Sequence, residues 1–158
     1  MKKITIPNMG ELTIENVIFD INGTIQFNGK IADDLLEKFK ELKKIYNVYL
    51  VSSDTRGNLH DIAEKLGVDY VKIRPENRTD TEAKLAELNR LGPNTTVTVG
   101  NGNNDALMLK EALLGLVILG SEGASARSIR NADVVFPDPQ SAIDFLLDDK
   151  MMIATLRK

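Results

Sequence analysis

The chain has 158 residues, with 20 Lys and Arg against 23 Asp and Glu for a formal net charge of −3, and it is 42% hydrophobic and 27% charged. That size and balance predict one globular domain over residues 1–158 rather than a disordered chain, and they argue against a dedicated nucleic-acid binder, which needs surplus positive charge. Zero cysteines exclude disulfides, thiolate metal sites and cysteine nucleophiles.

The longest apolar run, Ala112 to Leu119, falls well short of the ~20 residues of a membrane span. Pro7 and Asn8 arrive too early for the apolar segment of a signal peptide. A cytoplasmic protein without a membrane partner is the expectation.

In chain order, residues 4–6 and 11–19 read as strands around a Pro7–Gly10 turn, the second ending in the unbroken apolar trio Val17, Ile18 and Phe19. A polar loop from Asp20 to Lys30 follows, with an Asn28-Gly29 hairpin signature. Leu35, Leu36, Phe39 and Leu42 place one apolar face on a helix over 32–45. Its lysines 38, 40, 43 and 44 interleave with Glu37 and Glu41, which predicts a solvated face rather than a basic patch.

A strand at 48–51, a helix at 59–66 stopped by Gly67, and a strand at 70–73 come next. A helix begins at Thr79 or Asp80 and ends at Leu91 before Gly92-Pro93. The strand 96–99 then runs into Gly100-Asn101-Gly102-Asn103-Asn104-Asp105. The remainder reads as a helix near 105–114, a strand at 116–119, a helix near 124–131, a strand at 134–136 and a helix at 139–147. Strands alternating with helices predict a three-layer α/β/α, Rossmann-like parallel sheet with an N-terminal β-hairpin.

In such sheets ligands bind beyond the carboxyl ends of the strands. The residues there are Asp20 to Thr24, then Ser52, Ser53 and Asp54, then the loop Gly100 to Asp105, with Lys84 early in the preceding helix. Each alone has a plain structural reading as a turn, a cap or a solvated helix residue. Together they offer a carboxylate nucleophile, hydroxyl donors, a cation and an amide-rich loop with a second carboxylate. That set suits phosphoryl transfer, where positioning and charge neutralisation dominate.

Val17 to Thr24, Val51 to Asp54, Lys84 and Val99 to Asp105 resemble, in that order, the four motifs of the haloacid dehalogenase-like phosphohydrolases. Among those, the chain is similar to the phosphorylation domain of P-type ATPases and to the small soluble P-type ATPase-like proteins. Ala132-Asp133-Val134-Val135 and the loop Gly120 to Gly123 add to that similarity. The resemblance implies that Asp20 is the nucleophile, that Ser52 binds the transferring phosphoryl group beside Ser53, and that Lys84 neutralises it with the Asn104 amide as a further donor. It also implies Mg²⁺, held by the Asp20 side chain, the backbone carbonyl of Asn22 and the Gly100–Asp105 loop through Asn101 and Asp105.

Two positions depart from that pattern. Asn22 stands where a second Asp usually serves as general acid and base, so slow turnover is expected. Asn101 replaces a metal-binding Asp, so weak Mg²⁺ affinity is expected. No cap domain is inserted after the first motif or between the second and third. An open site of that kind takes a large phosphorylated substrate, or a small one closed over by a neighbouring subunit of a homo-oligomer.

The competing reading is a phosphate-binding or regulatory module that keeps the fold without turnover. A response-regulator-like receiver fits worse, because it needs an acidic pair after the first strand. His60, the sole histidine, reads as a surface residue, and Met151 and Met152 as packing for the C-terminal segment.

Overall fold

The computed structural model describes residues 1–74 and 76–158. Three strands open the chain: β1 (Lys2–Ile6), β2 (Gly10–Ile14) and β3 (Asn16–Phe19). There follow α1 (Asp34–Lys43), β4 (Asn47–Ser52), α2 (Leu59–Leu66), β5 (Asp69–Lys72) and α3 (Asp80–Leu91). The second half holds β6 (Thr96–Gly100), α4 (Ala106–Glu111), β7 (Leu114–Ile118), α5 (Ala126–Asn131), β8 (Val134–Phe136), α6 (Pro139–Leu147) and α7 (Asp149–Leu156). Short 3₁₀ turns cover Pro93–Thr95 and Asn103–Asp105.

Six strands form one parallel sheet in the order β5-β4-β3-β6-β7-β8, and β1 pairs antiparallel with β2 in a separate hairpin. The single strand expected over 11–19 is therefore two strands in two sheets. Glu15 is the switch: its N–H donates to Thr95 O at 2.8 Å and its carbonyl accepts from Asn47 N at 2.9 Å. Those bonds already run toward the neighbours of β3, so the antiparallel ladder stops at Ile14.

Alternation sets the layers. Val17 and Phe19 join the larger core with Leu35, Phe39 and Leu42 of α1, the apolar faces of α2 and α6, and the hairpin residues Ile4, Ile6, Leu12 and Ile14. Ile18 points the other way and packs with Ala83, Leu88 and Met108 of α3 and α4. The expected three-layer α/β/α arrangement is present.

Helix ends follow local chemistry. Thr79 and Glu82 form a reciprocal capping box at α3. Gly67 closes α2 in the left-handed conformation, with φ of 64°. The lysines of α1 are a solvated face: Lys40 pairs with Glu37 and Lys44 with Glu41, each at 2.6 Å, and Lys38 pairs with Asp144. Lys43 donates to the terminal carbonyls of α2 at Leu66 and Gly67.

Elsewhere the boundaries shift. The helix expected near 105–114 is α4 at 106–111, and β7 begins at Leu114 rather than Leu116. Asp148 ends α6 and at once caps a further helix, accepting from Lys150 N at 2.8 Å and Met151 N at 3.3 Å. On that helix Met152 is buried, whereas Met151 is exposed and does not pack the segment. Among the described residues, one helix and the Phe27–Lys30 hairpin turn lie between β3 and β4, and two helices, an edge strand and the 3₁₀ turn Pro93–Thr95 lie between β4 and β6. Among the described residues, no helix is long and apolar enough to cross a membrane.

Candidate active site

The chain runs from β3 through α1 to β4 on one side, then returns by α3 to place β6 on the other side of β3. This is a topological switch point, the place where an open parallel sheet leaves a crevice. Phe19 pairs with Leu50 of β4 and with Val99 of β6. Asp20 therefore leaves the sheet level with Gly100, its N–H donating to Val99 O at 2.9 Å.

The loop after Asp20 turns back at once, because the N–H groups of Thr24, Ile25 and Gln26 all converge on Ile21 O. Gly23 makes the turn at φ of 78°, and a Cβ there would collide with Asn101 Nδ2. Only glycine fits that approach. The turn delivers Thr24 Oγ1 to 3.0 Å from Asp20 Oδ2 and 3.2 Å from Asn101 Oδ1.

Lys84 enters from α3, whose Ala83 and Leu88 anchor it to the sheet. Its Nζ lies 2.6 Å from Asp20 Oδ1 and 2.6 Å from Asp105 Oδ1. The three residues are 2%, 7% and 0% exposed for Lys84, Asp20 and Asp105. Asp105 Oδ2 accepts from the backbone N–H of Asn101 at 2.9 Å and of Gly102 at 3.0 Å. A Cβ at Gly100 would meet Asp105 Cβ at 2.6 Å, so that glycine is needed for the carboxylate to fold back beneath its own loop.

Two carboxylates share one ammonium in a buried place, and the cluster carries a surplus negative charge. Burial first, and the charge of Asp105 second, push Asp20 up to about 6 against the pull of Lys84 and Thr24. Burial disfavours the Lys84 ammonium, yet Asp105 and Asp20 outweigh it and hold Lys84 above its ordinary value. Lys84 stays charged throughout the neutral range.

Ser52 is buried at the end of β4, and its Oγ accepts from Asp54 N at 3.0 Å. That leaves the hydroxyl proton for an anion in front of it. Asp54 holds the loop, accepting from Leu59 N at 2.9 Å and pairing with Lys72 at 3.3 Å. Asp20, Asn22, Ser52, Ser53, Lys84, Asn101 and Asn104 line one cleft of about 280 Å³. Gly102 of the Gly100–Asp105 loop lines it as well, and so do Thr55 and Asp80, which lie outside the strand-end segments. Asp80 was legible as the residue one helical turn before Lys84. Asp105 lies behind the cleft, where it grips Lys84. His60 is exposed and sits against Tyr70, with ring centres 5.7 Å apart.

The donor set suits a hard cation. Every side chain that could bind one is an oxygen donor, as Mg²⁺ prefers. Asn22 Oδ1 is buried without a hydrogen-bond partner among the described residues. Thr24 has one hydroxyl proton for Asp20 Oδ2 and Asn101 Oδ1, so it serves only one of those oxygens at a time. A cation here would meet both shortages and more than offset the surplus negative charge.

The family model for haloacid dehalogenase-like hydrolases matches residues 15–112. The chain belongs to that family. Its matched span runs from the start of β3 through α4 and holds every residue of the Asp20–Lys84–Asp105 cluster. Uncharacterized protein MJ0073 of Methanocaldococcus jannaschii is 43% identical over 74 residues, covering 46% of this chain and 80% of that protein. A soluble P-type ATPase-like phosphatase of the same organism is 27% identical over 134 residues, covering 84% of this chain. The chain spans about half that phosphatase's length, 49%. Among solved structures, the 3-deoxy-D-manno-octulosonate 8-phosphate phosphatase of Moraxella catarrhalis superposes with a TM-score of 0.71. It is 12% identical, with 91% of this chain and 94% of that one covered. That likeness is one of fold, and it confirms the α/β architecture expected from the strand pattern.

Proposed function

We propose that the chain is a Mg²⁺-dependent phosphohydrolase that works through an aspartyl-phosphate on Asp20. The observation that carries this reading is the buried cluster in which Lys84 lies 2.6 Å from both Asp20 and Asp105 and in which Asp20, not Asp105, is the carboxylate that lines the cleft. The similarity to a soluble P-type ATPase-like phosphatase supports it.

In the first step a carboxylate oxygen of Asp20 attacks phosphorus, and the bond to the leaving oxygen breaks with its electron pair. Lys84 and the Ser52 hydroxyl offset the negative charge of the transferring group, and Ser53 and Asn104 border it. Asp20 and the Asn22 and Asn101 oxygens would hold the cation, while Asp105, whose oxygens are taken by Lys84 and by the Asn101 and Gly102 N–H groups, would add negative charge from behind the loop. Bound Mg²⁺ supplies positive charge that lets two anions approach each other. In the second step water attacks the phosphorus of the aspartyl-phosphate and restores the carboxylate.

The Asn22 amide has no proton to give or take at neutral pH. The leaving oxygen and the attacking water then exchange protons with solvent, without the 10²–10⁴-fold that a positioned acid–base group contributes on the order of. Slow turnover follows. The substrate class is a phosphate ester or anhydride, carried by a small molecule or a macromolecule.

The same Asn22, with Asn101, favours a second reading, a phosphate-binding or regulatory module. One experiment separates the two. The protein and Asp20→Asn are incubated with acetyl phosphate or p-nitrophenyl phosphate and Mg²⁺, following product release and intact mass. Turnover or a phosphoryl adduct lost in Asp20→Asn supports the enzyme. Neither signal across a panel of phosphoesters leaves the binding module.

A further inference from the structure

Two asparagines stand where a Mg²⁺ site would gain from carboxylates, yet a carboxylate does reach this end of the sheet. Glu122 lies in the loop between β7 and α5, which folds over the Asn101 loop. Ser125 N donates to Asn101 O at 2.8 Å, Asn101 Nδ2 donates to Gly123 O at 3.2 Å, and Ser128 Oγ donates to Gly102 O. A Cβ built on Gly23 would meet Glu122 Oε2 at 3.0 Å as well as Asn101 Nδ2. The Glu122 carboxylate and the nitrogen edge of the Asn101 amide thus crowd the same α-carbon. The oxygen edge of that amide faces Thr24, which also bonds Asp20.

We infer that Glu122 is a positioning residue for the metal site, acting through Asn101. The Gly123 carbonyl holds the amide by its nitrogen edge, and the exposed Glu122 carboxylate adds negative charge on that side, leaving the oxygen to face Thr24 and Asp20. A negative charge behind the N–H groups also draws electron density onto the amide oxygen and makes it a stronger ligand, as a carboxylate does behind a ligating histidine. The charge absent at position 101 is displaced outward to 122 rather than lost. The arrangement opposes Asp at 101, because a carboxylate there would present an oxygen to the Gly123 carbonyl and to Glu122. The inference rests on the metal-dependent reading above.

The test needs no turnover. Mg²⁺ affinity is measured on the resting protein by competition with Mn²⁺ followed by electron paramagnetic resonance, and from the Mg²⁺-dependent rise in Tm. Glu122→Gln weakens Mg²⁺ about tenfold, the scale on which groups behind a ligand act. Glu11→Gln, an exposed carboxylate paired with Lys3 on the N-terminal hairpin, leaves it unchanged. Asn101→Asp tightens Mg²⁺ more in the Glu122→Gln background than in the wild-type chain. Affinity of Glu122→Gln within about twofold of wild type, or an equal gain from Asn101→Asp in both backgrounds, overturns the inference while the metal site stands. If Asn101→Asp does not fold, the affinity of Glu122→Gln decides alone. A wild-type chain whose Tm ignores Mg²⁺ overturns the metal reading itself, and this inference with it.

Discussion

Lys84 and Asp105 form a 2.6 Å ion pair that lies deeper than the partner pair of Lys84 with Asp20. Asp105 has no exposed surface and receives two backbone N–H groups on its other oxygen. Lys84 is therefore fixed from behind, and the carboxylate with freedom to react is Asp20. One ammonium at the junction of three elements ties α3 to the ends of β3 and β6.

Removing that ammonium leaves two buried carboxylates facing each other. Breaking one member of a buried ionic group costs about 3–5 kcal/mol, so Lys84→Met should lose stability on that scale in urea unfolding at pH 7.5. The loss should shrink at pH 5, where Asp20, already pushed up to about 6, takes a proton and relieves the repulsion. An equal loss at both pH values would refute the shared-charge account.

Asp20 itself makes a second prediction, of opposite sign to a stabilising ion pair. Its pKa is raised in the folded chain from 3.8 to about 6, so the fold binds this proton more tightly than the unfolded chain does. Asp20 then costs nothing below about pH 3.8, and the penalty grows as pH rises through about 6. It reaches roughly 3 kcal/mol at 1.36 kcal/mol per pH unit. In EDTA, Asp20→Asn should be more stable than wild type at pH 7.5, with the gap closing toward pH 4.5. Mg²⁺ should raise the Tm of wild type and not of Asp20→Asn. A gap independent of pH would show that the carboxylate is not strained by burial.

The strand ends were the legible part of this chain. A buried parallel strand declares itself by an unbroken apolar run such as Val17 to Phe19, and the sheet then gathers whatever follows each run. That is why Asp20, Ser52 and the Asn101 loop could be grouped before their geometry was seen. What stayed hidden depends on long-range approach. Glu122 reaches Gly23 only because the β7–α5 loop folds over the loop of β6, and no local pattern records that. The break at Glu15 was hidden because both of its bonds go to residues far along the chain. The expected helix at 139–147 ends where α6 does, and α7 goes unannounced because Asp148 ends one helix and caps the next without an intervening turn.

Gly23 tests how tightly the turn is built. At φ of 78°, with Asn101 Nδ2 in the path of a Cβ, Gly23→Ala suffers both backbone strain and a clash. The αL conformation alone costs a non-glycine residue about 1–2 kcal/mol. The variant should lose more than that in thermal or urea unfolding, and its Mg²⁺-dependent rise in Tm should fall because Asn101 is displaced. Gly10→Ala, also at positive φ but with open space around it, should lose only the backbone cost. Equal losses at the two positions would mean that Asn101 gives way freely.

Asn22 offers the sharpest prediction about chemistry. It lies two residues beyond Asp20 on the cleft wall, with its Oδ1 buried and lacking a hydrogen-bond partner among the described residues. Asn22→Asp preserves shape and supplies a group that can hold a proton. If the missing acid limits the rate, turnover of p-nitrophenyl phosphate should rise in Asn22→Asp by up to the order of 10²–10⁴-fold, and any phosphoryl adduct on Asp20 should shorten in lifetime. The leaving group gives an internal control. p-Nitrophenolate needs little protonation on departure, so an alkyl phosphate should gain more from the variant in its first step. The substitution also adds a buried negative charge beside Asp20, so the metal-free variant should unfold at lower urea than wild type near pH 7.5 and recover with Mg²⁺. A variant that folds, binds Mg²⁺ and turns over no faster than wild type would show that proton transfer at position 22 does not limit this site.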